Sequence, residues 1–160
     1  MKKAMIVCDK KKQGKYKFIL NALEQIFKEK SFEVKSIFFG ELNEQNHISF
    51  TEIKEYNADY ICTLDMAGFQ MNTLLECSRY NLLYAKQIHI VVGEQCFVEY
   101  AEGQFALNLF VFLPNSAIEW KKRYPHIPNI VAYDKLDLKK VNKETLNSIV
   151  EYVISETERN

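Results

Sequence analysis

The sequence predicts an α/β fold in three layers: a mainly parallel sheet of about six strands, with helices on both faces. Three observations predict it. Six strand-length runs are rich in Val, Ile and Phe, helix-period patterns lie between them, and no Asn-Gly or Asp-Gly pair signals a tight hairpin. Strands that alternate with helices pair in parallel through right-handed crossovers. The chain has 160 residues, 48% of them hydrophobic, which suffices for one core and not for two large domains, so residues 1–160 read as a single domain.

The strand-length runs are Lys3 to Cys8, Phe32 to Phe39, Asp59 to Leu64, Gln87 to Val92, Leu107 to Leu113 and Asn129 to Tyr133. Between the first two, Tyr16, Ile19, Leu20, Leu23, Ile26 and Phe27 recur at helical spacing, with Lys17, Asn21, Glu24 and Lys28 on the remaining surface. This is an amphipathic crossover helix. Leu146, Ile149, Val150, Val153 and Ile154 repeat the pattern near the end of the chain. Three further helix starts are marked by a hydroxyl residue followed three positions later by Glu: Ser49 with Glu52, Thr73 with Glu76, and Ser116 with Glu119. The nearly uninterrupted apolar run from Phe105 to Leu113 is what a strand covered on both faces requires.

Composition narrows the function classes. Lys plus Arg and Asp plus Glu number 21 each, so no global positive field favours nucleic acid. No apolar run reaches the roughly 18 to 20 residues of a membrane span, and the stretch from Ala4 to Cys8 is too short for a signal-peptide core. A cytoplasmic protein is expected. Cys8, Cys62, Cys77 and Cys96 lack metal-ligand spacing and read as buried, reduced thiols. His47, His89 and His126 form no HxH or HExxH element, so no metal is expected. His89, between Ile88 and Ile90, reads as a sheet-face or core histidine.

In an open parallel sheet, ligands bind beyond the carboxyl ends of the strands, where the strand order reverses. The strand-end segments therefore carry the candidate ligand-binding residues: Asp9, Gly14, Asp65, Gly68, Glu94, Asn115 and Ser116. Asp65 and Glu94 would share a pocket if their strands are neighbours, and proximity would then raise one carboxyl's pKa and permit acid/base work. The other reading of Asp65 is a cap on the following turn. The turn from Asp9 to Lys15 holds four lysines in six positions but has a single glycine, so both standard glycine-rich phosphate cradles are missing and no cofactor is expected. Those lysines read either as a phosphate contact or as a solvated turn.

The order of features resembles the N-terminal Rossmann-like half of GT-B glycosyltransferases. The resemblance rests on the strand Ala4 to Cys8, the segment Ala58-Asp59-Tyr60-Ile61-Cys62-Thr63-Leu64-Asp65, and the late unit from Leu109 through Ser116 and Trp120 to Tyr133. It implies a Rossmann-like acceptor half, or a binding module for a sugar or nucleotide, without the donor-binding domain; catalysis by the chain alone is not implied. A homodimer or a separate partner subunit would cover the face left by the missing domain, with Phe50, Phe69, Phe97, Tyr100 and Trp120 as its candidate aromatics. A second resemblance is to response-regulator receivers, through Leu64-Asp65-Met66-Ala67-Gly68 and Asp9. It departs from the receiver pattern in the Lys10 that follows Asp9, the Gly93-Glu94 that follows Val92 and the Pro114 that follows Leu113.

Overall fold

A computed structural model of the chain describes residues 1–39, 52–53, 55–64, 86–91, 108–111, 122, 129–132 and 142–158. The described strands are β1 (Lys3–Asp9), β2 (Glu33–Phe39), β3 (Tyr60–Leu64), β4 (Lys86–Val91), β5 (Asn108–Val111) and β6 (Asn129–Ala132). Among the described residues two long helices accompany them, α1 (Lys17–Glu29) and α2 (Lys143–Glu158). The strands form one six-stranded sheet in the order β2-β1-β3-β4-β5-β6. Every neighbouring pair is parallel. Every described strand end lies within two residues of the run read from the sequence, and Val92, Leu107, Phe112, Leu113 and Tyr133 of those runs lie outside the described residues.

The two faces of β1 explain the layers. Ala4, Ile6 and Cys8 share a buried cluster with Ile19, Leu23 and Phe27 of α1 and with Leu146, Ile149, Val150 and Val153 of α2. Successive strand residues point to opposite faces, so Met5 and Val7 face away from these helices, yet both are fully buried. On their side lies the helical stretch at residues 52–53 and 55–56: Glu52 meets Lys35 at 3.5 Å, the Tyr56 ring lies under the Lys3 and Lys35 ammonium groups, and Ile53 is fully buried. Helical residues therefore lie against both faces. The Glu52 start signal is consistent with this stretch, while Ser49, Thr73, Glu76, Ser116 and Glu119 lie outside the described residues.

Local chemistry fixes the ends of these elements. After α1, Ser31 adopts a left-handed backbone with φ 66°. The Phe32 N–H donates to the Phe27 carbonyl and the Ser31 N–H to the Lys28 carbonyl, which is the paired pattern of a Schellman stop. At the amino edge of the sheet, the Lys3 N–H donates to Asp59 Oδ2 at 2.8 Å and the Asp59 N–H donates to the Lys3 carbonyl at 2.9 Å. This reciprocal pair sets the register of β3 against β1. Across the helical layer, Lys143 reaches Glu29 at 2.7 Å and Lys30 reaches Glu151 at 3.1 Å, tying α2 to the end of α1.

Candidate functional site

The strand order decides where a ligand site belongs. From β1 the chain moves outward to β2, then returns past β1 to β3 and continues in the other direction. The reversal falls between β1 and β3, the position at which open α/β sheets form their ligand crevice. Cys8 pairs in register with Leu64, so the residues just before Asp9 and Asp65 lie side by side on these two strands. β4 is the next strand over, with Leu64 paired to Ile90. The candidate residues Asp65, Gly68, Glu94, Asn115 and Ser116 all lie outside the described residues.

Asp9 and Gly14 are described, and each has a definite local setting. Asp9 ends β1 and its Oδ1 accepts the Lys11 N–H at 2.9 Å, capping a single 3-10 turn at Lys10–Lys12. That is the hydrogen-bonding habit of Asp at a turn, so one carboxylate oxygen has a structural task and the other is left for a further partner. Gly14 is exposed and a Cβ placed on it would meet nothing within 4 Å. Its backbone therefore makes no demand for glycine, and its interest lies in the open space beside it. The four lysines of this turn split: Lys15 lies over the Tyr16 ring at 5.4 Å, and Lys10 faces a groove.

That groove, of about 460 Å³, runs along the flank of α1 above the carboxyl end of β2. Lys10, Gln13 and Gly14 close one end, Lys17, Asn21 and Glu24 form a wall, and Leu20 with Phe38 supplies apolar surface. The Ser36 hydroxyl donates to Glu24 Oε1 at 2.6 Å and fixes that carboxylate across the α1–β2 junction. Sequence reasoning placed Lys17, Asn21 and Glu24 on a solvated face. The available signal was their spacing at i, i+4 and i+7, which puts all three on one side of the helix.

The thiols expected to be buried are so where described: Cys8 and Cys62 are in no disulfide and both are fully buried. Burial pushes the Cys62 thiol up to about 12, with the neighbouring Cys8 adding to the effect. This is an inert thiol, the opposite of an activated nucleophile. Cys77 and Cys96 lie outside the described residues, as do His47 and His126. His89 sits in β4, paired with Thr63 and Leu109. Among the described residues no group of His, Cys, Asp or Glu could hold a metal ion, and no helix is long and apolar enough to cross a membrane.

No family model and no curated protein matches the chain. Among solved structures, it is similar to a de novo designed Rossmann 2x3 fold protein determined by solution NMR, at 13% identity and a TM-score of 0.48, over 98% of this chain and 91% of that one. The fold is Rossmann-like. That rests on the parallel, doubly wound strand order itself, and it establishes no activity. Of the aromatics considered for an interface, Phe50, Phe69, Phe97, Tyr100 and Trp120 lie outside the described residues; the exposed large hydrophobic residues among those described are Met1, Phe18 and Tyr152.

Proposed function

We propose that this chain is a Rossmann-like binding module that takes a small polar ligand, a sugar or a nucleotide, at the carboxyl edge of its sheet. The observation that carries the reading is the reversal of strand order between β1 and β3. In open α/β sheets that crevice is where ligands bind. Asp9 stands at its margin, and Asp65 follows directly on Leu64, whose register partner is Cys8. Gly68, which also follows β3 in sequence, and Glu94, Asn115 and Ser116, which follow strands further along the sheet, complete the proposed set.

The glycosyltransferase-like form of this reading makes residues 1–160 an acceptor half, with donor binding supplied by another domain or subunit. Its polar strand ends suit hydroxyl-rich ligands, since carboxylates and amides accept and donate to sugar hydroxyls. NMR titration of the chain with a set of nucleotides and sugars tests the module directly. Shifts should gather at Asp9 and at the Leu64 end of β3. Shifts confined to the opposite edge, around Lys3 and Tyr60, overturn it. Turnover of a nucleotide-sugar by the chain alone would make it an enzyme, and binding without turnover a module.

A second reading, a receiver-like signalling domain, draws on the same geometry. The order 2-1-3-4-5 is shared with flavodoxin-like domains, receivers among them, here extended by β6. The register of Cys8 with Leu64 suits an acidic pair formed by Asp9 and Asp65. Beryllofluoride with magnesium should then shift Asp9 and the end of β3; an unchanged spectrum removes this reading.

A further inference from the structure

We infer that the groove between α1 and β2 is a binding site for the phosphate monoester of a small polyol. It lies on the β2 side of β1, away from the β1/β3 crevice, and does not depend on the reading of that crevice. Its volume of about 460 Å³ falls within the roughly 300 to 1,000 Å³ of small-molecule sites.

The lining dictates the ligand. Lys10 and Lys17 both face the groove, and neither is held in an ion pair with another described residue. Two ammonium groups at one cavity, with no ion pair to a described residue, match a dianion, which a phosphate monoester carries near neutral pH. The opposite requirement comes from Glu24. Its Oε1 is fixed by the Ser36 hydroxyl, and Lys28 stands 3.9 Å from Oε2. A carboxylate held this way repels a phosphate placed against it but accepts hydrogen bonds from hydroxyl groups. Asn21 and Gln13 add amides that both donate and accept. Leu20 and Phe38 give a short apolar surface for the carbon face of the polyol. The ligand is thus anionic at one end and hydroxyl-rich at the other.

A free sugar phosphate is the ligand this lining favours; a nucleoside monophosphate presents the same phosphate and is the competing source that the test separates. The full chain is titrated with ribose 5-phosphate, adenosine monophosphate, ribose and inorganic phosphate, with amide shifts as the readout. Ribose 5-phosphate should move Lys10, Gln13, Gly14, Lys17 and Asn21 and bind more tightly than either ribose or phosphate. Lys10→Gln with Lys17→Gln should weaken it by at least about tenfold, the scale of one charge-assisted hydrogen bond. Glu24→Gln should narrow its advantage over inorganic phosphate. All three positions are partly or fully exposed, and an unchanged unfolding midpoint will show that the variants fold. Equal binding of phosphate and ribose 5-phosphate overturns the polyol half, and so does binding of adenosine monophosphate alone. Still groove amides in all four titrations overturn the site, whereas still amides only at Asp9 and Leu64 overturn the crevice reading and leave the groove standing.

Discussion

The Phe32 ring meets the Phe27 ring edge-on at 5.4 Å between centroids, and this contact completes the stop of α1. The two rings flank the Schellman hydrogen bonds, and Phe32 also packs edge-on against Tyr60 of β3 at 5.4 Å. Helix end, β2 entry and β3 are thereby joined through one side chain. The Ser31 backbone between them is left-handed, a conformation that costs a residue with a Cβ about 1 kcal/mol. Ser31→Gly should raise stability by about 0.5 to 1 kcal/mol, and Phe32→Ala should lower it by about 3 kcal/mol. Urea unfolding followed by circular dichroism checks both.

The bridges between α1 and α2 respond to pH. The Lys143 hydrogen bond holds the Glu29 carboxyl below its ordinary 4.5, and the Lys30 and Asn147 hydrogen bonds do the same for Glu151. A depressed folded-state pKa means that the unfolded chain takes up protons first as pH falls. The contribution is present above about pH 4.5 and is lost as acid protonates the folded carboxylates. Both glutamates are exposed, so the effect is small and screened by salt. Lys30→Gln with Lys143→Gln should flatten the fall in stability between pH 5 and 3, measured by urea unfolding at low ionic strength.

Much of this architecture is legible in the sequence, for reasons that particular residues show. β1 alternates between two covered faces, so it reads as one apolar run from Ala4 to Cys8. α1 buries one stripe and shows a helical period. Strand order is different: it depends on which apolar strand packs beside which, and β3 against β1 carries no local mark beyond the Lys3–Asp59 pair. The groove was hidden for the same reason. Lys17, Asn21 and Glu24 become its wall only because Phe38 and Ser36 of the edge strand β2 stand opposite them. Gly14 reads in the sequence as a ligand-binding candidate at a strand end, and in the fold it borders open space. Asp9 reads in the sequence as a ligand group, and in the fold it also accepts a capping bond.

Cys8 and Cys62 should resist labelling in the folded protein. Both are fully buried, and the Cys62 thiol is held protonated up to about 12. The unfolded thiol ionises near its ordinary 9.0, so above that pH the unfolded state loses a proton the folded state keeps. Stability is full below pH 9 and falls as pH rises toward 12. Brief iodoacetamide treatment with peptide mapping should leave both sites unmodified in buffer and modify both in urea. Modification of Cys62 in the native chain at pH 8 would contradict its place in the core.

Asp9 offers a way to separate structure from recognition. Its Oδ1 accepts the Lys11 N–H, a bond that needs an oxygen and not a charge. Asp9→Asn keeps such an oxygen and should change stability by no more than about 0.5 kcal/mol, whereas Asp9→Ala removes the cap and should cost about 1 kcal/mol. The carboxylate's charge is surplus to the cap, and at the margin of the β1/β3 crevice it is available to a ligand hydroxyl. If the crevice binds a sugar or nucleotide through Asp9, Asp9→Asn should weaken that ligand while leaving the urea midpoint in place, and ribose 5-phosphate binding in the α1–β2 groove should be little changed. Equal binding by wild type and Asp9→Asn would confine Asp9 to its turn.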